Sequence, residues 1–510
     1  MHFHTRAVIT FFLAANLAHA AGDIERGRAI AAACSACHGP DGSSPSPAFP
    51  VLGGQHQEYL VQALLAYQAG TRADSIMGGA VQTLNRQQLE DVAAYFAAQK
   101  GLAEGVGGNR PAGTAPAAGG GMTASLSTIE AAGSVAEVKA PSPSPVELAA
   151  CKGKGSPTSD RDGDGLADAF DAAPRDAGEF VRDADGDGWY GICNAEQLQA
   201  IQTLGTGDGQ SNGKHTSLDL ATRNTRRYEL VQDLDLGTIA NWIPVGNCGV
   251  ENNCMRARDK YGFAGGLDGN GYTLRNLTIN RPEAGGVGMF GTLAKTGVVR
   301  NLTLENASIV GRGGAGALVG ANFGYIADCQ ASVTVVGRLA TGGLVGGHAG
   351  QVVNCHVRGS VSGQAAIGGL AGDMNGVVRD SSADVHVTAG KGVGGLVGLN
   401  TTGKVLNSRA TGVVAGADNV GGLVGVNTDA LVENSFATTD VQGTGTNVGG
   451  LIGFNSQSRV RNSFATGPVT GKEAVGGLIG RNNGAVRNVY ATGAAGLIGD
   501  NAGGSIDNSE

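Results

Sequence analysis

Gly343-Leu344-Val345-Gly346 is one copy of a tetrad that returns, with small changes, down the second half of the chain. Its leucine stands at 318, 344, 370, 396, 423, 451 and 478, a spacing of 26 to 28 residues. A second column keeps step with it: Asn301, Asp328, Asn354, Asp380, Asn407, Asn434, Asn462 and Asn488. Self-similarity at a fixed period of this length marks a solenoid. Each period holds short β segments separated by glycine turns, which predicts an all-β parallel β-helix over residues 196–510. Nine or so coils at ~4.8 Å would make a stack roughly 40–45 Å long. The amide column is expected to lie buried and to bond from coil to coil as an Asn ladder.

Composition agrees. Glycine accounts for 88 of 510 residues, far above the usual ~7%, while aromatic residues make up 5%. A chain of this length exceeds one core and calls for two or three domains. The net charge of −8 leaves no basic footprint for nucleic acid.

The tetrads resemble the GLUG repeat of bacterial surface proteins, including the non-catalytic part of some immunoglobulin-cleaving peptidases. The lead-in shares the likeness through Asn194-Ala195-Glu196-Gln197-Leu198, Asp233-Leu234-Asp235-Leu236, Trp242-Ile243-Pro244-Val245-Gly246 and Leu267-Asp268-Gly269-Asn270-Gly271. Such a fold does not fix chemistry. No H-E-x-x-H occurs for a metallopeptidase, and the charges show no pair recurring at coil spacing. Docking or scaffolding on a cell-surface or polymer ligand is the expected task of this half. The last period is short, with Leu497 only 19 residues after Leu478, so the final coil is expected to present an open edge.

Upstream, residues 151–195 hold ten acids against five bases, so most of the net charge sits there. Asp160, Asp162, Asp164, Gly165, Asp168 and Asp171 fall on positions 1, 3, 5, 6, 9 and 12 of a calcium loop, with the Leu166 carbonyl at position 7. Hard oxygens at alternate positions and glycine at the sharp turn suit that ion. Asp183, Asp185 and Asp187 begin a second, incomplete loop. The stretch to Cys193, with Pro174 between the loops, resembles thrombospondin type 3 repeats, which implies one or two calcium ions in a structural role. Residues 101–150 are a disordered linker by composition, ending in Pro141-Ser142-Pro143-Ser144-Pro145.

The front of the chain carries a different signal. Cys34-Ser35-Ala36-Cys37-His38 places two thiols one helical turn apart with an imidazole directly after them. Two thioethers to one haem, with the histidine as fifth ligand, require that spacing. A zinc site wants further Cys or His ligands, and the segment adds only His56. A redox dithiol wants a βαβ context that is absent. Helices are expected over Asp23–Ala33, Glu58–Gln68 and from a capping box at Asn85 and Gln88. Met77 is the only methionine between residues 1 and 122, and its thioether is a soft sixth ligand.

Residues 21–100 resemble the small all-α class I bacterial cytochromes c. The likeness runs through Gly22-Asp23, Gly27, the pentad with Gly39-Pro40-Asp41-Gly42, Phe49-Pro50-Val51-Leu52, Gly54-Gln55, Tyr59-Leu60, Gly70-Thr71-Arg72 and Ala93-Ala94-Tyr95-Phe96. It implies one haem c on Cys34 and Cys37, His38 as proximal ligand and Met77 as distal ligand. Many relatives have methionine three positions on, where this chain has Ala80. The resemblance implies single-electron transfer with a redox partner protein and no transformed substrate.

Met1–Ala20 reads as a secretory signal ending in Ala18-His19-Ala20, and its apolar run, Ala7 to Ala15, is too short to span a bilayer. A periplasmic, extracellular or cell-surface location follows, where disulfides also form. Cys248 and Cys254 are a natural local pair, and Cys151 with Cys193 would brace the acidic stretch. Cys329 and Cys355 lie one coil apart, either bridged or as two free thiols. The alternative functional reading makes the solenoid primary, an adhesin with the haem domain as accessory or sensor.

Overall fold

The computed structural model describes residues 23–44, 52–53, 57–68, 75–99, 188–203, 225–246, 262–492 and 495–509. The signal, the linker, Asp160 to Asp187, Cys151, Cys248 and Cys254 lie outside them. The chain divides into two compact units, within residues 1–115 and 116–510.

The first unit is helical: α1 (Ile24–His38), α2 (Gln57–Gln68), α3 (Ser75–Val81) and α4 (Arg86–Ala97). Asp23 caps α1 by accepting from Arg26 N at 2.9 Å. α1 runs on past Ala33 through the whole pentad and ends at Gly39, whose φ of 80° glycine adopts without strain. The expected capping box at Asn85 and Gln88 is present. Leu89, Val92, Ala93 and Phe96 of α4 are all buried. α3 is an addition to the three expected helices, and Met77 sits on it.

The second unit is a parallel β-solenoid of about eight turns. One helix, α5 (Ala195–Thr203), follows the first strand and buries Leu198 and Ile201 in the solenoid core. A typical turn has four strands: Val345–His348 and Gln351–Val353 in one sheet, His356–Ser362 and Ala365–Gly368 in the other. Each pairs in parallel with its counterpart in the next turn, as Val345 does with Ala371 and Val357 with Ala383. The tetrad leucines are fully buried in one continuous core, each worth roughly 2 kcal/mol for full removal from water. Glycine inside the tetrad has a steric cause. A Cβ at Gly346 would overlap the backbone of Gly314 in the preceding turn. Early in the solenoid, Asp268 of the lead-in motif pairs with Arg300 Nε at 2.7 Å, both out of solvent, and also accepts from Asn270 N and Asn301 Nδ2.

The amide column is in register and bonds from coil to coil as expected, but it is buried only in part. Asn301, Asp328, Asn354, Asp380, Asn407, Asn434, Asn462 and Asn488 all have φ near +50°, at a corner of the coil; Asn434 and Asn462 are buried, whereas Asp328 and Asn354 are exposed. Asn and Asp enter the left-handed region most readily among residues with a Cβ. Each carboxamide donates to the preceding turn, from Asn354 to Asp328 at 2.6 Å through to Asn488 and Asn462 at 3.2 Å. Asp328 and Asp380 have no N–H to pass on, and no bond to Asn301 or Asn354 is made there.

A second, fully buried column lies four residues beyond each tetrad leucine. Asn400, Asn427, Asn455 and Asn482 are without solvent exposure and bond in series at 2.8 to 2.9 Å. His348 and Met374 occupy the same column in earlier turns. Methionine offers no donor, and Asn400 Oδ1 is left buried without a hydrogen-bond partner among the described residues. His348 continues the column as a neutral ring, Nδ1 facing Asn322 Nδ2 and Nε2 facing the Val377 carbonyl, each at 3.0 Å.

Burial lowers the His348 pKa to about 4, against about 6.5 for a free imidazole. The unfolded chain therefore binds the extra proton between these values. The neutral ring's contribution is fully present above pH 6.5 and is lost as pH falls through about 4, by about 3 kcal/mol. We expect His348→Asn, which keeps a column amide, to flatten the pH dependence of solenoid unfolding in that window. Urea midpoints of both proteins at pH 7 and pH 4.5 check this. Parallel losses in the two proteins would show that His348 does not set it.

Of the two alternatives for Cys329 and Cys355, the structure has two free thiols. They stand in a serine column: Cys355 N donates to Ser381 Oγ, and Ser381, Ser408 and Ser435 repeat that bond to the next turn. Each thiol donates to the carbonyl two residues back, as Ser381 does. The Cys355 sulfur alongside and complete burial push the Cys329 thiol well up, so it stays protonated and unreactive. Cys193 is disulfide-bonded, to a cysteine outside the described residues.

Candidate functional site

Cys34, Cys37 and His38 form the last turn of α1. Both thiols are free and half-buried, and the imidazole is 3% exposed. Burial, and next the neighbouring Cys37 sulfur, push the Cys34 thiol up. The pair therefore share one local environment on one face of the helix.

What fixes this turn is the crossing of α1 and α4. Gly27 lies against the Asp91 carbonyl and Tyr95 Cβ, so the helices touch backbone to backbone. The Asp91 carboxylate, 3% exposed, accepts from Asp23 N at 2.7 Å, from Arg26 Nε and Nη2 at 2.8 and 3.0 Å, and from Gln87 Nε2 at 3.0 Å. The Arg26 guanidinium holds that carboxyl well below the usual carboxylate range. Its stabilisation is thus present above about pH 4 and fades only in stronger acid.

The chain leaving the pentad is wired as closely. Ser44 N donates to His38 O at 2.8 Å, Leu52 N to Gly42 O at 2.8 Å, and Tyr95 Oη to Pro40 O at 3.0 Å. Gly42, at φ 74°, sits where a Cβ would strike Gly53 and the Phe96 ring. These bonds hold the ends of the segment that follows the imidazole.

Met77, half-buried, lies on α3, beside Ile76 at 66% exposure. α3 packs on α2, whose Gln68 Nε2 donates to Val81 O at 3.1 Å and Leu84 O at 2.7 Å. Two thiols, an imidazole and a thioether are the donor set a covalently held haem takes, and the free state of both thiols is compatible with it. Asp91, Arg26 and Gln68 were not singled out from sequence. The bonds that tie these residues across the unit span 13 to 68 residues, and no local pattern announces them.

Among the described residues no group of three or more His, Cys, Asp or Glu side chains could hold a metal ion, and no helix is long and apolar enough to cross a membrane. The calcium residues named above fall outside that search.

Comparison with known proteins gives two matches along the chain. The cytochrome c family matches residues 24–100, and the GLUG motif matches 389–415, 416–442, 444–470 and 471–495. Cytochrome c4 of Pseudomonas aeruginosa is 51% identical over 84 residues, 16% of this chain and 42% of that protein. The chain thus spans less than half the length of that relative. Halomucin of Haloquadratum walsbyi is 49% identical over 72 residues, 14% of this chain and 1% of its own length. Cytochrome c-554(548) of Halomonas halodenitrificans is 36% identical over 83 residues, which are 16% of this chain and the whole of that protein. Through its helical front unit the chain belongs to the cytochrome c family, and the solenoid that follows carries GLUG repeats.

Proposed function

We propose that the chain is an exported single-electron carrier. In this reading Cys34 and Cys37 attach one haem c, and His38 and Met77 are its axial ligands. The carrying observation is the last turn of α1, where two free thiols precede a buried imidazole on a helix clamped by Asp91. When bound, the haem supplies a reversible one-electron change at iron. The protein's own part is to hold His38 still, through Ser44 and the α1–α4 crossing, and to bury the ligand from water. A redox titration of the full chain tests the reading. It should give a single one-electron wave, and the absence of any redox-active pigment would contradict it.

The rest of the chain serves, on this proposal, to dock or scaffold the carrier at a partner protein, a polymer or the cell surface. Calcium at Asp160, Asp162, Asp164, Leu166, Asp168 and Asp171, with Asp183, Asp185 and Asp187 contributing a second loop, would stiffen the approach to the solenoid. Cys151 with Cys193, and Cys248 with Cys254, would brace it covalently. The alternating spacing of acids supports this. Removing calcium with a chelator is expected to lower the solenoid's melting temperature by about 5 °C, reversed by adding the ion back. An unchanged melt would remove the metal from the account.

A further inference from the structure

We propose that Gln68 is a positioning residue for Met77, holding α3 so that the thioether stays available to iron. The inference rests on the reading of Met77 as the sixth ligand. α3 (Ser75–Val81) is seven residues long, too short to persist unaided. It carries Gly78 and Gly79, the poorest helix formers after proline. A Cβ at Gly79 would meet nothing within 4 Å, so this glycine is not there for close packing. The segment needs an outside tie, and one side chain supplies two. Gln68, the last residue of α2, donates from Nε2 to the carbonyl of Val81, where α3 ends, and to that of Leu84, just before α4. Those two carbonyls bracket the exit from α3. Losing the donor frees the C-terminal end of the short helix on which Met77 stands, four residues before Val81, without touching the pentad.

Three substitutions separate donor chemistry from bulk. Gln68→Leu removes both bonds at similar volume. Gln68→Glu keeps the shape but offers only acceptors at neutral pH, and Gln68→Lys restores donors. The readouts, on full-length ferric holoprotein, are the sulfur-to-iron charge-transfer band and the affinity for added imidazole, which competes for the sixth position. We expect the Leu and Glu variants to lose band intensity and bind imidazole about tenfold more tightly, and Lys to stay within about twofold of the parent. Unchanged imidazole affinity in the Leu and Glu variants overturns the inference. If Gln68→Leu does not fold, the Glu and Lys pair makes the same comparison. Met77→Leu, run alongside, should abolish the band. If it leaves band and affinity unchanged, the ligand reading itself falls and the inference with it. If it abolishes the band while the Gln68 variants match the parent, only the role of Gln68 falls.

Discussion

Gly27→Val is expected to unfold the helical unit while leaving the solenoid transition in place. Gly27 is buried in α1 where a side chain would overlap the Asp91 carbonyl and press on Tyr95 Cβ. Backbone has no rotamer with which to yield, so α1 and α4 must move apart. Overpacking of this kind costs typically 1–3 kcal/mol. The separation also draws Asp23 N and Arg26 away from the buried Asp91 carboxylate. A buried charge that loses its partners costs about 3–5 kcal/mol. Arg26 is half-exposed and recovers water, so its own share of the loss is small. Together these approach the whole stability of a small domain, about 5–15 kcal/mol. Guanidinium titration followed by circular dichroism and by haem absorbance reads the two units separately. A midpoint for the helical unit within about 0.5 kcal/mol of the parent would show that the crossing is not the clamp described.

The second large effect is expected inside the solenoid. Asn427→Leu replaces a buried amide by an apolar group of like size. It strands the Asn400 Nδ2 donor, now bonded to Asn427 Oδ1 at 2.8 Å, and the Asn455 Oδ1 acceptor, now receiving from Asn427 Nδ2 at 2.9 Å. All three amides are without solvent exposure. An unsatisfied buried polar group costs about 1–3 kcal/mol, so the substitution should cost roughly 3–5 kcal/mol. Asn407→Leu is the control. Its amide also bonds to both neighbouring turns, at 3.0 and 3.2 Å, but at a half-exposed corner that water reaches. There the loss should be nearer 1 kcal/mol, plus the strain of a branched side chain at φ 47°. Because each turn packs mainly on its immediate neighbours, a break in the buried column should also split the melt into two steps. Equal losses in the two variants would contradict the different roles assigned to the columns.

How far the sequence led follows from these particulars. The solenoid was legible because every turn repeats the same solution, and the leucine column marks the core without ambiguity. Depth was not. The corner amides and the buried amides share one period, and the corner column is the more regular in sequence. Asn322, Asn400, Asn427, Asn455, Asn482 and Asn501 all stand four residues after a tetrad leucine, but His348 and Met374 interrupt the series and conceal it. In the helical unit the capping box at Asn85 was readable because its partners are three residues apart. α3 was hidden by Gly78 and Gly79, which read as breakers until the tie from Gln68 is known. Asp91 could not be found locally, since it stabilises α1 from 65 residues away.

Permanent attachment of the pigment is the claim on which the functional account stands. Acid-acetone extraction of the full chain, made in a host competent in haem ligation, tests it directly and is best run beside the Cys34→Ser/Cys37→Ser double variant. The account predicts that colour stays with the protein of the parent and passes into the solvent, or never appears, in the variant. Colour washing out of the parent, or an unchanged retained pigment in the double variant, would contradict it.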